Sequence, residues 1–347
     1  MERVINNRKV LSVSIAAYNV SATLDQALEP FLNEDVLPYV DVMIVDDGSK
    51  DHTAEIAKRY ESQFPGTFRL ITKENGGWGS TVNTGIAEAK GKYFKQLDGD
   101  DYFSNENLAD FINFLQTTDA DMIHTPFIQF QDGTGAVIDE VAGYAGEYSR
   151  FILNRTVRID ECGDYIPSMH CISVKTEILR RKNIQIMEQC FYTDLEYALK
   201  TYNCCETICF YEKPIYYYRL ARSGQSMSVI GARKHYRDHI RMLKNLLLFS
   251  QNEVFDPYKK KNIENRVCVA CMWQYVFFFA LECTKEEKAE LREFDSFLKK
   301  GYPDVYNKID GKVIHILQRT HFIGYRMLAT LKMQKDKRLK RYFYQGR

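Results

Sequence analysis

Residues 10–17 (Val-Leu-Ser-Val-Ser-Ile-Ala-Ala) make a short β-rich run that is apolar on both faces, the pattern of a strand buried inside a parallel sheet. Tyr18 and Asn19 break it. Leu24, Ala27, Leu28, Phe31 and Leu32 then recur at helical spacing, with Pro30 set to kink or end that helix. A second apolar run at 41–45 leads into Asp46-Asp47-Gly48-Ser49, after which Asp51 is placed to cap a helix carrying Ile56, Ala57 and Tyr60. A third strand is expected at 68–72, then Asn75-Gly76-Gly77-Trp78-Gly79 and a helix with Val82, Ile86 and Ala89 on one face. Residues 92–97 read as a fourth strand. The rhythm β-α-β-α-β-α-β, with polar or glycine-rich loops where strands end, predicts an α/β fold on an open, mostly parallel sheet flanked by helices.

The pattern after residue 105 is less regular. A helix is expected at 107–117, a strand with mixed faces at 121–130, and a glycine-containing loop at 133–146 that would lie over a substrate. A helix follows at 175–182 and another after Asp194. A strand ends in Tyr216-Tyr217-Tyr218-Arg219, and the Ser/Gly-rich loop from Arg222 suits a lid. From 233 onward the pattern is helical, with Tyr236, Ile240, Leu243 and Leu247 in a stripe and Thr284 with Glu287 in a capping box. His235 and His239 are four apart without the intervening Glu of a zinc-protease helix, so helix surface is expected for both. Basic residues of the tail, among them Lys332, Lys337, Arg338 and Arg341, alternate with Leu331, Leu339, Tyr342 and Phe343. That suits peripheral contact with an anionic membrane or a solvated helix. The expected division is an α/β domain at 1–230, with parts at about 8–104 and about 105–230, and a helical C-terminal region at 231–347.

Composition narrows the classes. A net charge of +1 predicts no nucleic-acid partner, and 45% apolar residues over 347 positions support a sizeable core. Nine cysteines, an odd number scattered through apolar runs, suit reduced, buried thiols in a cytoplasmic protein; Cys268 and Cys271 lack a second pair for zinc. No secretory leader is expected from the polar residues 1–9. The apolar stretch 267–281, interrupted by Gln274, is shorter than the ~20 residues that span a bilayer.

Candidate chemistry centres on Asp98, Asp100 and Asp101, which follow the fourth strand within four residues. Like charges so close raise one another's pKa unless a cation neutralises them, and a hard divalent cation bridging carboxylates to phosphates would do so. A polar turn is the competing reading. A calcium loop is excluded, because Tyr102, Phe103 and Ala109 stand where ligand, Gly and Glu are required. In open α/β sheets ligands sit outside the carboxyl ends of the strands, where Tyr18-Asn19, Asp46-Asp47, Gly76-Gly77 and the Asp cluster are all expected. A dinucleotide fold is excluded by the glycine-free turn after the first strand, and a P-loop by the absence of Gly-Lys-Ser/Thr after Gly76.

Four blocks then resemble the family 2 glycosyltransferases: Ser14-Ile15-Ala16-Ala17-Tyr18-Asn19; Val45-Asp46-Asp47-Gly48-Ser49 with Asp51 and Thr53; Asn75-Gly76-Gly77 with Asn83-Thr84-Gly85-Ile86; and Leu97-Asp98-Gly99-Asp100-Asp101. The resemblance implies a GT-A-like (Rossmann-like) fold, a nucleoside-diphosphate sugar donor, a divalent cation (Mg²⁺ or Mn²⁺) and inversion at the anomeric carbon. It implies donor contacts from Ala17, Tyr18, Asn19, Asp46, Asp47, Gly76, Gly77, Asn83, Asp98, Gly99 and Asp100. Tyr18 would lie near the base, Asp47 would face a uracil-like ring, and Asp100 with Asp101 would ligate the metal.

By the same resemblance Asp194 stands at the place of the catalytic base, with Thr193 where a first acid is common; Glu196 is the alternative base and helix capping the alternative role. Arg219 and Arg222 fall in the family's closing block and would neutralise the departing diphosphate, or simply face solvent. His170 would contact acceptor or diphosphate, or be an interior residue. Trp78 would offer a stacking face to the acceptor, or pack. Many members carry an Arg near positions 77–82; this chain has none. The acceptor implied is a saccharide or lipid-linked saccharide of a cell-surface polymer, at the inner membrane face. A nucleotide-sugar-binding module without catalysis fits Thr193 and the missing Arg. Nucleotidyl transfer is the third reading, against which stands the absence of a basic, glycine-rich first loop.

Overall fold

A computed structural model of the chain describes residues 9–142, 151–220, 229–254 and 256–335. The opening alternation folds as its pattern dictates. β1 (Leu11–Ala17) pairs in parallel with β2 (Val40–Asp46), whose residues are all buried, and β2 with β3 (Phe68–Thr72). β4 (Tyr93–Asp98) flanks β1 on its other side, also parallel. Between them run α1 (Leu24–Leu28), which gives way to a 3₁₀ turn containing Pro30, then α2 (Thr53–Gln63) and α3 (Trp78–Glu88). Pro30 lacks an amide hydrogen to donate inward, so the α-helix stops two residues before it.

Further elements are β5 (Tyr102–Phe103), α4 (Leu108–Thr117), β6 (Met122–His124), β7 (Phe127–Gln131), β8 (Val137–Ala142) and β9 (Thr156–Arg158). β10 (Ile172–Lys175), α5 (Thr176–Arg181), α6 (Asp194–Cys204), β11 (Thr207–Phe210) and β12 (Tyr216–Leu220) complete this part. The large sheet has the order β3-β2-β1-β4-β10-β6-β11-β9, with β10 and β9 reversed among otherwise parallel strands. A second sheet, β5-β12-β7-β8, is absent from the sequence pattern. The single strand expected at 121–130 is split between the two sheets at Thr125-Pro126, since proline cannot donate to a ladder and restrains the residue before it. The expected 133–146 loop is a turn at 133–136 followed by β8; residues 143–146 lie outside the described residues.

The described residues up to Gln189, with Thr193–Leu220, form one compact unit; Cys190–Tyr192 and the described residues from 229 form another. In the second, α7 (Val229–Asn252) packs on α8 (Pro257–Ala280), joined by α9 (Lys285–Gly301), α10 (Pro303–Lys308), α11 (Lys312–Arg319) and α12 (Tyr325–Lys335). Thr284 and Glu287 form the expected capping box. His239 is not on the surface: it is 6% exposed, and its Nδ1 pairs with Gln274 Oε1 at 2.7 Å inside the bundle. None of the nine cysteines is in a disulfide, and Cys268 and Cys271 are buried. Among the described residues no helix is long and apolar enough to cross a membrane. The basic tail beyond 335 lies outside them.

Candidate active site

Because β1, β2, β3 and β4 run in parallel, the loops that follow them leave from one edge of the sheet. After β1, Tyr18 turns its ring outward, 49% exposed, and Asn19 adopts a left-handed φ of 53°. The Asn19 side chain holds the neighbouring loop by accepting from Lys50 N at 2.8 Å, and Ala17 O accepts from Asp47 N. Asp46 is buried and accepts from Ser49 N.

Asp47 is tied into the protein at the edge of the sheet. Its carboxylate accepts from Gly76 N and Gly77 N at 2.8 Å each and from Lys73 Nζ at 2.9 Å. It fastens the glycine loop at the start of α3, where Gly77 takes φ 80°, a conformation that favours glycine. The Asn83 amide bonds both the N–H and the C=O of Ile186, stapling the 186–189 segment to α3. Gly79 lies so close to that segment that a Cβ would meet Met187 O at 2.1 Å.

The acidic turn is built from the far end of the chain. Asp101 is 2% exposed; Tyr216 OH donates to its Oδ2 at 2.6 Å and Arg219 N to its Oδ1 at 2.7 Å. Arg219 adds to this support. Its Nε donates to Asp100 O, one terminal nitrogen to Asp132 and the other to Gln26, over the ring of Phe130. These bonds clamp the turn. Gly99 fits against Ala16 O, which a Cβ would meet at 2.8 Å. Arg222 lies outside the described residues.

The potential metal ligands that converge are Asp98, Asp101 and His170, with ligand atoms within 4.8 Å of one another. Asp100, expected beside Asp101, is not in this set. Burial, then the Asp100 charge, raise the Asp98 carboxyl to about 7, against the lowering bond from Trp78; burial also pushes Asp101 well up. The His170 ring lies between Phe127 and Tyr218, edge-on to Tyr216, and burial with Lys95 nearby pushes it down to about 3. It is therefore a neutral imidazole, and its buried Nδ1 has no hydrogen-bond partner. Two carboxylates made costly by burial and an orphaned imidazole nitrogen are a donor set that fits a divalent cation. Fully buried Lys95, held at about 7 by desolvation, fixes this corner by donating to His170 O at 2.9 Å.

Trp78 is not an open stacking face. Its Nε1 donates to Asp98 Oδ1 at 2.6 Å, and its ring sits edge-on to Tyr197. Asp194 is exposed as the first residue of α6, and its charge contributes to the raised pKa of Asp98. Thr193, not Asp194, occupies the N-cap position. Glu196 is fully buried, paired with Lys200 at 2.7 Å and accepting from Met187 N, so it has no access to a substrate. Sequence reasoning missed Tyr216 and Lys95. The Tyr-Tyr-Tyr-Arg block was the available signal for Tyr216; nothing in the pattern distinguished Lys95 from a surface lysine.

Residues 12–182 match the family described as glycosyl transferase family 2. GgaB of Bacillus subtilis, a minor teichoic acid biosynthesis protein, is 25% identical over 345 residues, covering 96% of this chain and 36% of its own length. The chain thus spans about a third of that relative. Among solved structures, Staphylococcus aureus TarS 1–349 with UDP-GlcNAc superposes with a TM-score of 0.69 at 18% identity, covering 94% of this chain and 92% of TarS 1–349. The mannosyltransferase PcManGT of Pyrobaculum calidifontis, with GDP-Man and Mn²⁺, gives 0.54 at 15%, covering 96% and 89%. The GT-A-like architecture is thereby established, and residues 12–182 of the chain belong to glycosyl transferase family 2.

Proposed function

We propose that this enzyme moves a sugar from a UDP-linked donor to a hydroxyl of a saccharide or lipid-linked saccharide, with inversion, during assembly of a cell-surface polymer. The observation that carries the reading is Asp194, exposed and electrostatically coupled to the half-buried Asp98–Asp101–His170 cluster at the carboxyl edge of the sheet. The polymer class is supported by GgaB and the donor by TarS bound to UDP-GlcNAc. PcManGT, solved with Mn²⁺, supports the cation.

In the reaction the acceptor oxygen attacks the anomeric carbon from the face opposite the diphosphate. The carbon–oxygen bond to the diphosphate breaks, nucleoside diphosphate departs, and the hydroxyl proton passes to the Asp194 carboxylate. Asp98, Asp101 and His170 would hold Mg²⁺ or Mn²⁺, which would neutralise the charge developing on the leaving group. Tyr18 presents its exposed ring to the base, and the Asp47-fastened glycine loop borders the pocket. Positioning both substrates in one geometry supplies much of the rate.

The test is release of nucleoside diphosphate from a panel of donors with Mn²⁺. Asp194→Asn should lower kcat by about 10²- to 10⁴-fold while leaving UDP affinity intact. Turnover by Asp194→Asn at the wild-type rate would remove the assigned base. Release of pyrophosphate would replace glycosyl transfer with nucleotidyl transfer.

A further inference from the structure

We propose that Trp78 is a positioning residue for the cation-binding carboxylate: its indole N–H fixes Asp98 so that the second carboxylate oxygen is free to join Asp101 and His170. The inference rests on the cation reading above and goes beyond it by assigning a residue outside the ligand set.

Three features argue for it. Trp78 Nε1 donates to Asp98 Oδ1 at 2.6 Å, a close bond to one named oxygen that fixes how the carboxylate turns. The indole itself has little freedom. Its backbone follows Gly77, tied to Asp47 Oδ2 at 2.8 Å, and precedes Gly79, which is pressed against Met187 O. Thr81 Oγ1 donates to the Trp78 carbonyl at 2.7 Å, and Tyr197 braces the ring edge-on with centroids 6.2 Å apart. Lastly, the bond engages only one of the two oxygens of Asp98. The other ligands are similarly oriented by partners outside the set: Asp101 by Tyr216 and Arg219, His170 through its carbonyl by Lys95. Groups of this kind tune metal affinity through the ligand they hold.

Trp78 and Trp273 are the only tryptophans in the chain, which makes the bond directly observable. In wild-type protein labelled with ¹⁵N-tryptophan, the Trp78 indole N–H, assigned by its persistence in Trp273→Phe, should resonate downfield and exchange slowly. In Asp98→Asn it should move upfield. Mn²⁺ affinity, read from the electron paramagnetic resonance of free Mn²⁺, should fall by about 10- to 100-fold in Trp78→Phe, which retains an aromatic ring against Tyr197. Equal Mn²⁺ affinity of wild type and Trp78→Phe, or an indole signal indifferent to Asp98→Asn, would overturn the assignment while leaving the cation site standing. Absence of Mn²⁺ binding by wild type would instead bring down the cation reading and this inference together.

Discussion

Asp194 and Glu196 are two residues apart, yet the fold gives them opposite circumstances. Helical geometry turns positions i and i+2 to different faces. Asp194 meets solvent beside Asp98, whereas Glu196 is buried against Lys200 and the Met187 amide. Removing one partner of a buried pair costs about 3 kcal/mol or more. Glu196→Gln should therefore lower unfolding free energy by about 3 kcal/mol in urea, with kcat reduced far less than in Asp194→Asn. A variant of normal stability and abolished turnover would exchange the two roles. At this scale the sequence told residue types but not their partners. Asp47, Asn83 and Arg219 all carry the polar groups a donor pocket needs, and each turned out to bind the protein itself. Their partners lie 26 to 193 positions away, a separation no local pattern encodes.

Among elements, the legible ones were those with a strong local period. The first four strands and three helices were readable because apolar runs and turn residues alternate cleanly over 10–97. β12 was legible as a strand ending at Arg219 and β7 as part of a strand at 121–130, but β5 and β8 were not, and neither was the second sheet, because its register comes from pairing between distant strands. The segment 186–189 is a further element invisible to periodicity. It runs from Asn83 on α3, through the Glu196 contact on α6, to Gly76 O, which Gln189 N reaches at 2.6 Å. It thus fixes the helix bearing Asp194 against the helix bearing Trp78. A methyl group at Gly79 would displace this strap, so Gly79→Ala should cost about 1–3 kcal/mol in chemical denaturation and lower kcat together. Unchanged stability and rate in that variant would mean the strap yields freely.

On the scale of the whole molecule, the two compact units differ in what acid does to them. In the helical unit, burial pushes His239 down to about 4 while Gln274 Oε1 accepts from its Nδ1 and Tyr192 and Phe277 pack against the ring. An unfolded histidine titrates near 6.5. Between those values the unfolded chain binds the proton and the folded one does not, so the stabilisation is complete above about pH 6.5 and is lost as pH falls toward 4. The loss should approach about 3 kcal/mol, followed by Trp273 fluorescence in urea, and His239→Gln should flatten the slope. An identical slope in both proteins would assign the acid sensitivity elsewhere. The outline of the molecule, an α/β unit followed by helices, was readable from the change in period near residue 230. The burial of His239 was not, because its polar partner Gln274 sits on another helix.

The clamp on the acidic turn also sets where the chain can be cut. The stretch recognised as family 2 ends at residue 182 and contains Asp98, Asp101 and His170. It stops short of Tyr216 and Arg219, whose hydroxyl and amide satisfy the buried Asp101 carboxylate. A fragment trimmed to that boundary would keep every ligand and strand an unsatisfied anion in its interior, so the smallest competent piece must reach at least the end of β12.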